Sequence, residues 1–440
     1  MTPSQPYWWD AAPPRSLPPA PVAPTCDVAI VGAGYTGLSA AIALARAGRS
    51  VQVFDKQRPG EGASTRNGGI TSGNIRPSHA SLLRRLGQAR ADAIFAEAKT
   101  AREDLYRFIA EEAIDCDFSQ VGRFSGAATP AAYEAGAREA ERLRRTLGIE
   151  AYAVSRSEQR GWLGSDYFHG GSVRMDIGGI DPAKLFAEML RLALAAGAVV
   201  HGETAVTGIR ADGDQHEVAT SHGATRARHV ITGSNGYTDG SDKWLRRRLV
   251  PVRSRIIATG PISPNLMNVL MPRRMMVSDS RASHYYYRPS PDGTRVLFGG
   301  RDATIAGDPT WPNAMLRDAM LQVFPELADT PITHSWFGSV AMNRDMVPRI
   351  FSRRGVRYAA GYCGSGTVWA RWVGQKAAWQ ILDEDRGQSA LDFRPPAAVP
   401  FYNGTPWFMP AVFGWMTFKD RRIAKERARL AAQQTGATPP

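Results

Sequence analysis

Cysteine, lysine and long apolar runs are all scarce in this 440-residue chain, and each scarcity excludes something. Only Cys26, Cys116 and Cys363 are present, an odd number, far apart and without paired spacing, so neither a disulfide framework nor a metal site is expected. No stretch reaches the roughly 18 uninterrupted apolar residues of a bilayer-spanning helix, and the N-terminus has no basic region followed by an apolar signal core. A cytoplasmic protein is the expectation. The formal charge of +13 is almost wholly arginine, in pairs and triplets such as Arg84-Arg85, Arg246-Arg247-Arg248 and Arg421-Arg422 dispersed along the chain. Such dispersal reads as solvated basic surface with no nucleic-acid partner; a polyanion such as tRNA, or an anionic membrane surface, is the alternative. With 43% apolar and 9% aromatic residues there is ample material for a packed interior, and the length exceeds what one core organises. Two lobes are expected.

Residues 1–24 are proline-rich with Tyr7, Trp8 and Trp9 at their head, and read as an arm without regular structure whose aromatics dock on the body. The pattern then changes. Asp27 to Val31 is an apolar run ending in glycines, Leu38 to Ala47 is a helix former, and Val51 to Phe54 is a strand, together a βαβ unit. Helices are expected over 82–112 and 130–147, the second with Thr129 as N-cap and proline at its first position, and from Asp181-Pro182 to Gly197. Strands predominate from about 249 to 340, including Ser283 to Arg288 and Arg295 to Gly299 across the turn Ser290-Pro291-Asp292-Gly293. A final strand, glycine cluster and helix over about 358–382 return to the style of the N-terminus.

Gly32-Ala33-Gly34-Tyr35-Thr36-Gly37 lies between the first strand and its helix, and Asp55, with Lys56 beside it, ends the next strand. The first glycine permits a tight turn, the second lets the backbone approach a pyrophosphate and the third lets helix pack on strand, while Asp55 suits ribose hydroxyls. NAD and FAD share that half of the molecule, so the motif alone does not separate them. Ser64-Thr65-Arg66-Asn67-Gly68-Gly69 adds hydroxyls, a guanidinium and bare backbone at the distance where a loop could run back along the pyrophosphate toward a larger ring system.

With that loop the chain resembles the glycine oxidase and D-amino-acid oxidase family of flavoenzymes, particularly the γ-glutamylputrescine oxidase-like branch, from about residue 25 to 390. Val206, the run Val230 to Thr238 with Gly233, the strands around Pro251 and Leu297, and the segments Arg344 to Pro348 and Gly361 to Thr367 all match in order. The resemblance implies an α/β fold with an α+β insertion: a FAD-binding Rossmann-like domain of the glutathione-reductase type beside an antiparallel-sheet substrate domain. It implies FAD held without a covalent bond, with Gly364, Ser365, Gly366 and Thr367 near the flavin ring; the cysteine and histidine that link flavin in covalent relatives are missing here. The expected division is 1–24 arm, 25–90 with 165–240 and 341–390 FAD-binding, 91–164 with 241–340 substrate-binding, and 391–440 C-terminal extension.

The implied reaction is oxidation of the C–N bond of an amine or amino acid (a polyamine derivative, or an N-methyl or D-amino acid) by hydride transfer to flavin N5, giving an imine that hydrolyses. Electrons then pass to oxygen, a quinone or another acceptor. Strand alternation sends His284, Tyr286 and Arg288 to one face and Tyr285 and Tyr287 to the other, so His284 and Tyr286 are candidate site residues, with Arg301 available for a substrate carboxylate. Trp336 and Trp369 are candidates to roof the site, and Lys243 and Lys376 are the lysines nearest in sequence to flavin-binding segments. A NAD(P)H-dependent reductase would show a second GxGxxG, which is absent. A tRNA-modifying flavoenzyme of this fold is one alternative. Another is an amine dehydrogenase at the inner membrane face, feeding quinone through the apolar and basic segment 407–430.

Overall fold

A computed structural model describes residues 5–301 and 314–435, with side chains described to residue 429; residues 302–313, part of the expected substrate lobe, and the chain ends lie outside the described residues. Two eight-stranded sheets carry the fold. The first grows from the βαβ unit: Thr25–Val31 pairs in parallel with Val51–Phe54 on one side and Gly223–Thr232 on the other, and Val199–His201 extends it beyond Val51–Phe54. Val356–Ala360 joins Gly223–Thr232 in parallel, and Arg349–Arg353 closes that edge antiparallel. The hairpin Val206–Asp212 and Gln215–Thr220 branches off. Val51–Phe54 is buried throughout, as a central parallel strand covered on both faces must be.

Helices Tyr35–Arg46 and Gly366–Ile381 cross closely on this sheet. A Cβ on Gly374 would come within 2.2 Å of the Thr36 carbonyl, so only glycine allows the approach. Helix Pro182–Ala195 is capped as its sequence suggests, with Asp181 Oδ1 accepting from Ala183 N at 2.8 Å and Lys184 N at 3.1 Å. The expected helix over 82–112 is two helices, His79–Leu86 and Gln88–Glu111. Ser78 caps the first earlier than expected, and Gly87 at φ +80° turns the chain between them.

The second sheet runs in the order Ile332–Met342, Val250–Thr259, Val296–Arg301, Tyr286–Pro289, Met276–Asp279, Arg123–Gly126, Gly171–Arg174, Ala151–Val154. All its pairs are antiparallel except Met276–Asp279 with Arg123–Gly126. The hairpin turn at 290–293 is present, closed by Gly293 N donating to Ser290 O. Its first strand starts later than expected, at Tyr286, because His284 takes φ +55° and cannot be extended.

Membership departs from the expected division at two places. Helix Gln88–Glu111 buries Ala91, Ile94, Ala98, Ala101 and Leu105 in the core of the first sheet, not in the substrate lobe. Its stripe of small residues suits close contact with Gly366–Ile381. Conversely Gly171–Arg174, expected with the FAD-binding lobe, is a strand of the second sheet.

The N-terminal arm docks, and it forms one 3-10 turn, Tyr7–Asp10, where no regular structure was expected. Trp8, at 0% exposure, packs with Ala183 of the first lobe and with Ile256, Ala258, Leu297 and Trp336 of the second sheet. The C-terminal extension carries one helix, Met409–Thr435, which takes in nearly all of the apolar and basic segment 407–430; Pro410 sits in its first turn, where a missing N–H costs nothing. It is fastened by Asp420, whose carboxylate accepts from Ala282 N at 2.6 Å and from Ser283 N at 3.2 Å.

Burial of Trp8 between the lobes predicts that Trp8→Ala lowers the unfolding free energy in urea by about 3–5 kcal/mol. Trp407→Ala, at a site 62% exposed, changes it by about 0.5 kcal/mol or less.

Candidate active site

Each glycine of the first loop has a separate physical reason. Gly32 takes φ +98°, a conformation that strains any side chain. A Cβ on Gly34 would meet Ser64 Oγ at 2.9 Å, and one on Gly37 would lie 1.9 Å from the Gly32 carbonyl. Ser64 Oγ accepts from Tyr35 N at 3.0 Å, so a hydroxyl stands over the start of helix Tyr35–Arg46, where free N–H groups and the helix dipole favour phosphate. Asp55 accepts from Ala33 N at 2.8 Å and Gln57 N at 3.0 Å; burial pushes its carboxyl up while those N–H groups hold it down. Lys56 Nζ donates to Tyr237 O at 2.9 Å and pairs with Asp239.

From this loop a cleft of about 940 Å³ runs between the sheets, from Val206, Lys243 and Trp244 at one end to Arg76, His284, Tyr286 and Arg301 at the other. Gly233 lies on its wall beside Thr232, whose buried hydroxyl has no partner among the described residues. Opposite, Cys363 at φ +52° and Gly364 at φ +100° turn the chain so that Gly364, Ser365, Gly366 and Thr367 face the cleft at the start of helix Gly366–Ile381. Cys363 donates its thiol to Gly361 O at 3.1 Å, and burial pushes its pKa up to about 11, leaving a protonated packing residue.

The second sheet's contribution comes from one face of the hairpin. Tyr286 stands over Gly68, with its hydroxyl 3.0 Å from Ser254 Oγ. Arg288, on the same face, donates to Gly69 O at 3.0 Å and Ile180 O at 2.7 Å, while Tyr287 packs with Phe298 behind the sheet and Tyr285 both contacts Phe298 and lines the cleft. The Arg301 backbone pairs with Ser254 in the sheet, but its guanidinium has no hydrogen bond or ion pair among the described residues. Arg76 has only the Cys363 carbonyl, at 2.7 Å. Both guanidiniums converge on Gly364: a Cβ there would be 3.3 Å from an Arg76 nitrogen and 3.7 Å from one of Arg301. Arg76 keeps an exposed face, yet desolvation by the surrounding protein pulls it down, and burial together with the Arg76 charge pulls Arg301 to about 9. His284 keeps a face open to the cleft but is surrounded by protein; desolvation and then the two arginines hold it neutral, with a pKa of about 3.

Of the expected cofactor contacts, Gly37, Thr65 and Gly69 do not reach the cleft. Gly37 serves helix packing, Thr65 accepts from the Trp9 indole at 2.9 Å, and Gly69 N donates to Asn67 Oδ1 at 2.8 Å. The remaining ones do line it, Arg66, Asn67 and Gly68 included. Trp336 and Trp369 are corrected from roof to core: both are fully buried, and their indole N–H groups support Arg66 O at 2.9 Å and Asn74 O at 3.2 Å from behind. Lys376 is spent on the carbonyls of Arg386 and Gln388, and Lys243 sits at the far end from Arg301. Sequence reading missed Arg76 and Arg123, which also line the cleft; Arg76 follows the Ser64–Gly69 loop closely enough that the loop's own path was the available signal.

A glycine-cradled helix start, an acid at the second strand and a cleft continuing past both into a second sheet define a dinucleotide-binding oxidoreductase with room for a large ring system. The sequence matches the family described as "DAO: FAD dependent oxidoreductase" over residues 27–380, and the chain belongs to that family. It is 32% identical over 424 residues, 94% of this chain and 97% of the relative, to the probable oxidoreductase OrdL of Rhizobium meliloti strain 1021. It is 30% identical over 396 residues to the gamma-glutamylputrescine oxidoreductase of Escherichia coli K12, covering 86% and 87%. The glycine oxidase of Geobacillus kaustophilus superposes with a TM-score of 0.71 at 22% identity, covering 86% of this chain and 99% of that one. The protein is therefore a FAD-dependent oxidoreductase, and the bare backbone at Gly34, the helix start at Tyr35 and the unsatisfied Thr232 hydroxyl fit that cofactor.

The two later glycines of the first loop separate binding from folding. Gly34→Val fills the phosphate approach and displaces Ser64, so the variant folds but binds FAD about 100-fold more weakly, a loss of roughly 2.7 kcal/mol, and purifies colourless. Gly37→Ala drives a methyl into backbone and loses the native circular dichroism itself.

Proposed function

We propose that the protein oxidises the C–N bond of an amino acid, primary or N-substituted, and that Arg301 and Arg76 hold the substrate carboxylate. The convergence of two guanidiniums without a carboxylate partner above Gly364, Arg301 buried and Arg76 exposed, carries this reading. Buried charges are normally paired, and a fork of N–H donors matches a carboxylate. Amine or amino-acid chemistry agrees with the names borne by the glycine oxidase and gamma-glutamylputrescine oxidoreductase relatives. FAD supplies the acceptor for a hydride.

The chain's own residues do the rest. Arg301 and Arg76 fix one end of the substrate, which leaves its α-carbon a restricted set of positions over the cofactor-binding loops. Tyr286 closes the cleft beside them. The same positive field lowers the pKa of the bound ammonium, favouring the neutral amine that oxidation requires. His284 is too weak a base to take that proton at neutral pH; as a neutral imidazole it offers a hydrogen bond.

Anaerobic titration of the FAD-bound protein tests this. Amino acids bleach the flavin absorbance, whereas the matching decarboxylated amines do so about 100-fold less efficiently, and Arg301→Met removes the distinction. Between about pH 5 and 9 the efficiency rises with pH through one ionisation, that of the amine, and His284→Asn keeps the profile. Equal bleaching by polyamines without a carboxylate would sink the carboxylate reading. No bleaching by any amine would sink oxidation altogether.

A second reading concerns electron delivery. Of the large apolar side chains exposed on the described surface, Phe401, Trp407, Val412, Trp415 and Phe418 crowd into one short segment, and Lys419 lies 3.8 Å over the Trp415 ring. No described helix is long and apolar enough to cross a membrane. Tryptophans followed by Arg421 and Arg422 suit the surface of an anionic bilayer, with a membrane quinone as acceptor. Flotation with vesicles containing phosphatidylglycerol tests it: the protein floats at low salt, does so poorly with phosphatidylcholine alone, and Trp407→Ala with Trp415→Ala stays at the bottom.

A further inference from the structure

Arg301 and Arg76 are not the cleft's only unmatched cations. Arg123 opens the strand Arg123–Gly126, between Arg174 on one neighbour and Met276 on the other. Two residues along, Ser125 stands opposite Ser278, Ser278 opposite Tyr286, and Tyr286 opposite Gly299. Alternation therefore puts Arg123 on the same sheet face as Tyr286, and it lines the same cleft. Its Nε is buried and has no partner, and no hydrogen bond to its guanidinium is made by the described residues.

The nearest acid is already engaged. Asp176 receives Arg102, and Arg174 binds it with Nε at 3.1 Å and a terminal nitrogen at 2.9 Å. Two guanidiniums thus occupy the one carboxylate, and Arg123 has no share in it. Burial first, then the Arg174 charge, pull Arg123 down to about 9, with Asp176 offsetting part of it. Asp279, the other acid on the cleft wall, is forked by Arg281 at 2.7 and 3.1 Å. A free-standing buried cation is costly unless something neutralises it, and the vacancy opens into the substrate space.

We propose that Arg123 is a second anion-binding point of the cleft, so that the substrate is an amino acid bearing a second carboxylate, on its side chain or its N-substituent, remote from the one held by Arg301 and Arg76. This rests on the amino-acid-oxidising reading of the same cleft. Arg123 lies among Arg102, Arg174 and Asp176, whereas Arg301 lies beside Arg76, Tyr286 and Cys363, so the two anchors are separate and fix both ends of one molecule.

Binding of straight-chain α,ω-dicarboxylates of increasing length to the FAD-bound full-length protein, each against its monomethyl ester, tests the assignment by calorimetry and flavin absorbance. In the wild type one diacid length binds at least about tenfold tighter than its ester. Arg123→Met and Arg123→Gln erase that gap without changing ester affinity, and Arg301→Met weakens both ligands. Arg123→Met also melts about 2 °C or more higher without ligand, because an unmatched buried charge is gone. Three results overturn the proposal: no diacid preference in the wild type at any length, Arg123 variants that weaken ester and diacid alike, or variants that lose FAD. The wild-type comparison decides the matter even where a variant fails to fold. Diacid preference without bleaching by any amine rejects the oxidation reading and leaves the anion site standing; bleaching without diacid preference rejects the Arg123 site alone.

Discussion

The loop Ser64–Gly69 belongs to no helix or strand, so its backbone carbonyls need partners from elsewhere, and meeting that need joins the two lobes. Trp8 of the arm donates to Asn67 O at 2.8 Å, Trp336 of the second sheet donates to Arg66 O at 2.9 Å, and Arg288 of the hairpin donates to Gly69 O at 3.0 Å. Buried carbonyls without such donors would each cost on the order of 1–3 kcal/mol. One segment that must approach the cofactor is thus held by three elements distant in sequence. Arm docking and the seating of the second sheet both follow from it, and they set the far wall of the cleft.

This also explains what could be read from the chain and what could not. Gly32, Gly34, Gly37 and Asp55 act within one βαβ unit, where spacing alone fixes geometry, and the hairpin face bearing Tyr286 and Arg288 follows from alternation. Arg76 and Arg123 carry no such signal: one is in a loop and the other begins a short strand whose partners lie at positions 174 and 276. Thr65 and Gly69 show the opposite failure. They sit inside a loop expected from sequence to face the cofactor, yet their groups are consumed by Trp9 and Asn67 in holding the loop's shape. Helix Gln88–Glu111 packs in the core of the first sheet, a partner its sequence does not name, because an amphipathic pattern states that a face is buried, not what buries it.

The arginine content takes on a different meaning in the fold. Part of it is paired locally on the surface, as in Arg142 with Glu139 and Arg144 with Glu141, and such exposed pairs contribute little. Inside, Arg371 is matched by Asp104 and Arg349 by Asp345. Arg301, Arg76 and Arg123 have no acid partner among the described residues, and all three border one cleft. Arg288, buried like Arg301, is satisfied by the carbonyls of Gly69 and Ile180, whereas these three lack such a full set of partners at the cleft, which is the observation behind the proposed anion sites. On the proposed reading, an anion that binds the folded state alone adds to its stability, and occupancy of the cleft is thereby coupled to its rigidity.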